Sequence, residues 1–554
     1  MNSKIQSRVL VIAAVLLLGL LPATLLAQTI TSAIKGSIRD AAGAPVANAS
    51  VVIEDQRTGV TRTFTSNDDG NFYASRLAVG GPYHVTVNGT KTVLVDRIDL
   101  GDIYNLTINM QEDLAIEEVV VVGQTATFVD TAAGPAATFT NFELQTAVAF
   151  DRDIQEAYAV DPRIYADLGD RGAAINCAGK HPRFNSVTLD GVGLNDRFGL
   201  NNNGYATATG QPFPYDAVEQ VAVEMAPFDV TYGGFSACNI NVVTKQGTNE
   251  WHGGAWWEWN NEDLRGTTLD VNGDIRDLGD DGFNNHKRGF NLGGPIFKDK
   301  LFIFAAYEEE DRPTFLAMGY AGSGNGVERP WLSKEDYDTI VSTAQNKYGY
   351  DPGGLPGNTT RENEKYMIRV DWNISEDHNT SVVYNYSDGF QINASDNDSN
   401  EFEFPLHFYT KGAELTTYIA RLSSQWSDSF STEFYYSNTE MNDSQVTVGP
   451  KDFGDHQISV GRNTVYLGAD DSRQANSLSW ESDFYKLSGQ WLVGEHVITA
   501  GYEREELSVF NIFVQHSVGG EWDFYDDSTS NPAHCAGLTP QGRRDDPDCR
   551  NSGI

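Results

Sequence analysis

The sequence predicts a mainly β chain in three parts: a small β-sandwich, a mixed α/β domain of short strands and polar loops, and the strands of an antiparallel transmembrane β-barrel. Three observations carry this. The 554-residue chain opens with Lys4 and Arg8 followed by the apolar run VLVIAAVLLLGLLPATLLAQ, and no later segment is apolar enough to span a membrane as a helix. That is the pattern of a removable secretory signal, here residues 1–27 with the cut after Ala27, although Leu25 at the −3 position is larger than usual. Downstream of Trp251 the text turns to long aromatic segments that alternate apolar and polar residues. Aromatic residues make up 11 % and glycines number 53, yet mean hydropathy is −0.39. A barrel strand is apolar on one face only, so this average stays low even in a membrane-spanning chain.

The formal charge of −38 excludes nucleic acid as a partner, because backbone recognition needs a basic surface. The acidic excess is read as solvation or adaptation to a salty medium. The four cysteines, Cys177, Cys238, Cys535 and Cys549, suit an oxidising exterior. The short spacing within HCAGLTPQGRRDDPDC suggests a Cys535–Cys549 staple, leaving Cys177–Cys238 to close a longer loop; three pairings are open in principle. Neither Cys-x-x-Cys nor His-x-x-x-His accompanies them, which argues against a metal site.

Residues 28–110 read as the sandwich. KGSIRD, ASVVIED, TRTFTS, GNFYASRL, YHVTVNG and YNLTINM each fit a half-buried strand, and AAGAP and NDDGN supply turns. From Ile34 to Met110, the GSIRDAAGAPVANASVVIED opening and the TSNDDGNF turn resemble the carboxypeptidase regulatory-like, transthyretin-type domain. Such domains look like carbohydrate-binding folds but are generally accessory, so a spacer or docking module is expected.

Residues 111–124 form a linker. Its Glu117, Glu118, Val119, Val120, Val121 and Val122 favour an extended segment, suited either to adding onto another protein's sheet edge or to an ordinary buried strand. In residues 125–249, strands at SVTLDG, VEQVAVEM and NINVVTKQG flank a long polar loop, 194–214. A loop of this length is uncommon unless functional or disordered. Asp190, Arg197, Asn201, Asn202, Asn203 and Tyr205 are the candidate contacts to a polar solute, against the plainer reading of a solvated loop.

The order of signal segment, regulatory-like domain, EEVVVVGQ, LDGVGLNDRF and VEQVAVEMAPFDVTYGGFSACNINVVTKQGTNEWHG resembles a TonB-dependent outer-membrane transporter, in particular the Oar-like group. The resemblance implies that 125–249 is a plug domain, that Glu117 to Val122 resembles the box engaged by a TonB-type periplasmic energy-transducing partner, and that the chain resides in the outer membrane of a Gram-negative bacterium, among lipid and lipopolysaccharide. Cys177 and Cys238 depart from the general pattern.

Residues 250–554 read as barrel. In EKYMIRVDWNIS, Tyr366, Ile368, Val370, Trp372 and Ile374 share one face while Lys365, Arg369, Asp371 and Asn373 share the other. Trp251, Trp256, Trp257 and Trp259 suit an interfacial aromatic girdle. Inserts rich in Asp, Asn and Gly, such as GFQINASDNDSNEFEFP, belong on the extracellular side. Calcium in these acidic loops has no specific motif behind it: the run D-V-N-G-D-I-R-D from Asp270 puts glycine at the wrong position for a calcium loop, and no cofactor is expected. About nine or ten strands are expected here, whereas the resemblance implies a complete barrel of about 22. The chain is therefore expected to be a C-terminally truncated fragment of a longer transporter.

The function implied by the resemblance is active import of a solute, such as a peptide, glycan or other nutrient, by plug rearrangement, with no catalysis and no phosphate-binding loop. An adhesion or surface-binding protein on the same scaffold is the alternative. A carbohydrate-processing enzyme is the third, but abundant carboxylates without fixed separation do not make a glycosidase.

Overall fold

The computed structural model describes residues 30–100, 103–110 and 136–524, apart from positions 148, 150, 168–173, 200, 202, 226, 228–229, 266–267, 272–273, 278–282 and 495. The signal segment, the Glu117 to Val122 segment, Asn202, Cys535 and Cys549 lie outside the described residues.

The sandwich comprises β1 (Thr31–Arg39), β2 (Ser50–Asp55), β3 (Val60–Thr65), β4 (Asn71–Ala78), β5 (Tyr83–Val87), β6 (Lys91–Val95) and β7 (Ile103–Asn109). One sheet has the order β4-β1-β7 and the other β3-β2-β5-β6. Period-two alternation drives them face to face: Ile34, Ile38, Val51, Ile53, Phe72, Val85 and Ile108 point into one core and are almost wholly buried. Gly36 is required by close approach, since a Cβ there would stand 2.1 Å from the Phe72 ring. The β3–β4 turn closes through Asn67, whose side-chain oxygen accepts the Asn71 N–H at 2.8 Å, with Gly70 at φ +75.

The next domain holds β8 (Ala136–Thr140), β9 (Ile164–Asp167), β10 (Ala174–Cys177), β11 (Ser186–Leu189), β12 (Val192–Gly193), β13 (Val218–Met225) and β14 (Cys238–Thr244), with short helices at Asn141–Thr146 and Ile154–Tyr158. A mixed five-stranded sheet, β12-β11-β14-β13-β8, forms its centre. Its two middle strands are buried on both faces. One face, with Val221 and Val223, packs on Tyr158, Phe213 and the domain's own interior; from the other, Ala222 and Val243 meet the barrel residues Phe304, Met367 and Ile419. The small side chain of Ala222 lets the sheet approach the wall.

The barrel region continues as β15 (His252–Asn261), the hairpin β16 (Thr268–Val271) and β17 (Asp274–Asp277), β18 (Asn284–Phe297), β19 (Leu301–Thr314), β20 (Met318–Tyr320), β21 (Val327–Arg329), β22 (Thr359–Asn373), β23 (His378–Asn393), β24 (Glu401–Glu403), β25 (Tyr409–Ser427), β26 (Phe430–Thr447), β27 (Asp455–Val460), β28 (Asn463–Leu467), β29 (Asn476–Val493), β30 (His496–Phe513) and β31 (Glu521–Phe524). Nine of these pair antiparallel, each with the next in the chain, in one curved sheet that runs from β15 to β30 and does not close on itself among the described residues. The predicted alternation holds in β22: Asn363, Lys365, Met367 and Arg369 are buried inward, while Ile368 and Trp372 are exposed outward at 43 % and 44 %. Trp251, Trp257 and Trp259 are likewise exposed. Trp256 departs from the girdle expectation: it turns inward, where its indole N–H donates to Asp216 at 2.7 Å beneath the Arg152 guanidinium. Pairing with a plug carboxylate and a cation satisfies its one polar atom, which lipid cannot do.

Short connections at 298–300, 374–377 and 428–429 all lie at one rim, and long ones at 315–358, 394–408 and 448–475 at the other. In an outer-membrane barrel the first rim is periplasmic and the second extracellular. The long connections fold into a cap, built from the sheet β24-β28-β27-β31, the pair β20-β21 and a helix at Lys334–Tyr348, around Leu332, Phe402, Phe404, Val465 and Leu467. The helix is capped at both ends, by the Ser333 hydroxyl and by Gly349 at φ 68.

Candidate functional site

The inner face of the barrel sheet and the domain seated on it form a polar interface. Strand alternation aims Lys287, Glu308, Lys365, Arg369 and Glu505 inward, and the seated domain supplies opposite charges. Arg152 stands 3.3 Å from Glu308 and 2.9 Å from Asp216; Arg197 is 2.9 Å from Glu505; Arg369 is 3.6 Å from Asp190; and Asp151 is 2.7 Å from Arg312 and 3.4 Å from Lys287. Asn385 donates to the Pro212 carbonyl at 2.9 Å. Buried ion pairs add little net stability but are costly to break singly, so they set the register of the two surfaces more than they glue them. An interface of this kind can exchange partners with water, which an apolar seal cannot.

The candidate solute contacts fall into two groups. Asp190 is buried, accepting the Thr244 N–H at 3.0 Å and the Thr244 hydroxyl at 2.6 Å, with its backbone at φ 46. Asn203 is buried and bonds within its own loop, its amide donating to the Thr207 carbonyl at 2.8 Å. Tyr205 is wholly buried and its hydroxyl donates to Asp153 at 2.9 Å, which also caps the helix Ile154–Tyr158. These three shape the loop. Arg197 and Asn201 remain partly accessible: Asn201 donates to the Ala206 carbonyl at 3.0 Å, and Arg197 borders a small polar recess between the domain and the wall. Cys177 and Cys238 are disulfide-bonded, with Cα atoms 5.8 Å apart, tying β10 to the start of β14.

Asp151, Arg152 and Glu308 were not singled out in the sequence. The inward register of Lys365 and Arg369 is the signal that a charged partner surface must face them.

At the periplasmic rim the sandwich meets the barrel through Arg62, which donates to Gln425 at 2.7 Å, and Arg76, which donates to Ser431 at 3.0 Å and faces Glu433 at 3.6 Å. Between sandwich, plug and wall lies a cavity of about 460 Å³ edged by Arg57, Arg62, Arg76, Arg369 and Arg421. Three of these charges have their own carboxylate: Arg57 pairs with Asp55 at 2.8 Å, Arg369 with Asp371 at 2.8 Å, and Arg421 with Glu433 at 2.6 Å.

Comparison with known proteins agrees with this anatomy. Residues 33–111 match the carboxypeptidase regulatory-like domain, and residues 243–314 match an outer membrane beta barrel domain. Over 234 residues, 39 % of this chain and 19 % of the relative, the sequence is 26 % identical to the TonB-dependent transporter Oar of Myxococcus xanthus. Among solved structures, the outer membrane transporter YddB from Escherichia coli is similar over 68 % of this chain and 48 % of its own, at 11 % identity and TM-score 0.48. The siderophore receptor PirA from Acinetobacter baumannii is similar over the same shares, at 16 % identity and TM-score 0.45. The chain thus spans about half the length of these solved structures and matches about a fifth of the curated relative. In domain order the chain carries a carboxypeptidase regulatory-like domain followed by an outer membrane beta barrel domain, and over 39 % of its length its sequence is similar to that of a TonB-dependent transporter.

Proposed function

We propose that the protein imports a solute across the outer membrane by rearranging its plug, powered by a TonB-type partner pulling on Glu117 to Val122. The observation that carries this reading is the plug–wall interface, where Arg152, Asp190, Arg197 and Asp151 each engage a barrel side chain through charge. Such contacts hold the plug at rest and can be traded for water when it is pulled. The coupling segment precedes β8, the edge strand of the plug sheet. Tension there would reach β13 directly, since Gln220 to Glu224 pair with Thr140 to Ala136. Arg197 and Asn201 are the proposed solute contacts, Asn202 is assigned beside them from the sequence, and Asp190, Asn203 and Tyr205 support their loop. The solute class follows the polar loop: a peptide, a glycan or another nutrient rich in hydrogen-bonding groups.

The test is uptake of labelled solutes in cells carrying the complete natural gene, with and without deletion of Glu117 to Val122, at matched outer-membrane abundance. Lost accumulation with retained surface binding is the expected result. Unchanged accumulation and binding would instead favour adhesion on the same scaffold.

A further inference from the structure

The extracellular cap gathers carboxylates around one buried histidine. His407 precedes β25 and is 1 % exposed. Its Nδ1 lies 3.2 Å from the Gly468 carbonyl, so that nitrogen donates its proton there and Nε2 is the nitrogen left to meet the carboxylates. Nε2 faces Asp396 at 3.4 Å, and one ligand atom each from Asp396, His407 and Asp470 lie within 4.8 Å of one another. Asp455 stands behind the ring, 3.7 Å from Nδ1.

Facing Asp396, Nε2 needs a positive centre between the two groups, which is a proton on the ring in the ion-free cap and can be a metal ion in that proton's place. A second observation points the same way. Glu403, wholly buried on β24, accepts the Asp396 N–H with one oxygen, while the other oxygen has no hydrogen-bond partner. Asp455, also buried, has an unpartnered oxygen as well. A carboxylate oxygen left bare in a core is costly and is relieved by a proton, which burial favours on both Glu403 and Asp455, or by a bound cation that displaces it. His407 and Arg473 are the positive groups that act on Asp470, set against the carboxylates Asp396, Glu403, Asp455 and Asp470 itself.

The geometry points to a divalent transition-metal site in the cap, with His407 Nε2, Asp396 and Asp470 as ligands, Glu403 beside them as a further carboxylate, and Asp455 behind the imidazole. One nitrogen among carboxylate oxygens suits zinc or manganese better than calcium, which takes oxygens alone. Asp396, 33 % exposed, is the side through which the ion enters. The ligands come from either side of β24 and from the turn after β28, so the ion would reinforce the junction that the β24–β28 pairing makes between the 394–408 and 448–475 connections. Asp470 is rigid before any metal arrives, because it also caps the turn Asp471–Arg473 by accepting the Ser472 N–H at 2.9 Å.

The test is a Zn²⁺ titration of the purified full chain in detergent at neutral pH, without a histidine tag, in competition with a chromophoric chelator. A second surface group, Asp471, His516 and Glu521, can also hold an ion, so all proteins carry His516→Gln. One Zn²⁺ per chain is expected, with affinity falling at least about tenfold in Asp396→Asn and Asp470→Asn. X-ray absorption of the loaded protein is expected to show a single imidazole nitrogen among oxygens. Asp396 is partly exposed, so its variant keeps the cap folded even where His407→Gln does not, and circular dichroism checks this. Absence of Zn²⁺ binding, or equal affinity in the parent and Asp396→Asn, overturns the site.

Discussion

Asp190 shows how one side chain serves the plug and the wall together. It sits in the left-handed region at φ 46, accepts two bonds from Thr244 and faces Arg369. Asp190→Ala removes the acceptors and adds backbone strain, since asparagine and aspartate tolerate this conformation better than alanine. It should destabilise the plug by about 3 kcal/mol, while Asp190→Asn, which keeps the amide acceptor and the turn, should cost less than half of that. Hydrogen exchange on β14 measures the difference. Glu156 carries the pH dependence. Burial lifts its carboxyl from the ordinary 4.5 to about 7, with the Asp151 N–H opposing and the Asp151 and Asp153 carboxylates reinforcing the rise. The folded plug therefore keeps a proton that the unfolded chain has lost, so this contribution is complete below pH 4.5 and disappears as pH rises through 7. Glu156→Gln should flatten plug stability between those values and make the plug more stable than the parent at pH 8, as read by denaturant titration at several pH values.

At the scale of elements, the Cys177–Cys238 bond spans 61 residues. In the chain-entropy account, closing such a loop is worth about 4 kcal/mol. Cys177→Ser with Cys238→Ser should lower plug stability by up to that amount while leaving the sandwich unchanged, which domain-resolved hydrogen exchange separates. The strands themselves were largely readable. Tyr366 to Ile374 announced their two faces because the side-chain period of a strand is two and the solvents on its two sides differ. Trp256 was misread for the same reason that makes alternation useful: period alone divides WHGGAWWEWN into two faces but does not say which aromatic has a carboxylate waiting on the inner side. The polar loop from Leu194 to Pro214 was visible as a loop, but the burial of Asn203 and Tyr205 was not, because their partners, Thr207 and Asp153, are met only when the loop folds back.

For the molecule as a whole, the rim contacts of Arg62 and Arg76 place the sandwich across the periplasmic mouth. Gln425→Ala with Ser431→Ala should release it without unfolding it, because both residues lie on the wall, whereas Arg62 also donates to the Ser75 carbonyl inside the sandwich. Faster proteolysis in the linker 111–124, with unchanged hydrogen exchange inside the sandwich, is the expected signature. Unchanged proteolysis would mean that these contacts do not hold the domain. The open edges at β15 and β30 matter on this scale too, since unpaired strand edges are untenable in lipid and closing the ring requires further strand pairing. By itself the sequence determined the β character and the two-faced barrel strands, because both follow from local periodicity and composition. Only the tertiary structure decided which charges meet across plug and wall, which polar residues vanish into the loop, and that Asp396, Glu403, His407, Asp455 and Asp470 converge. Their spacing carries no period, and their meeting depends on long loops folding over one another, where hydrogen bonds and burial decide position and neighbouring residues in the chain say nothing about it.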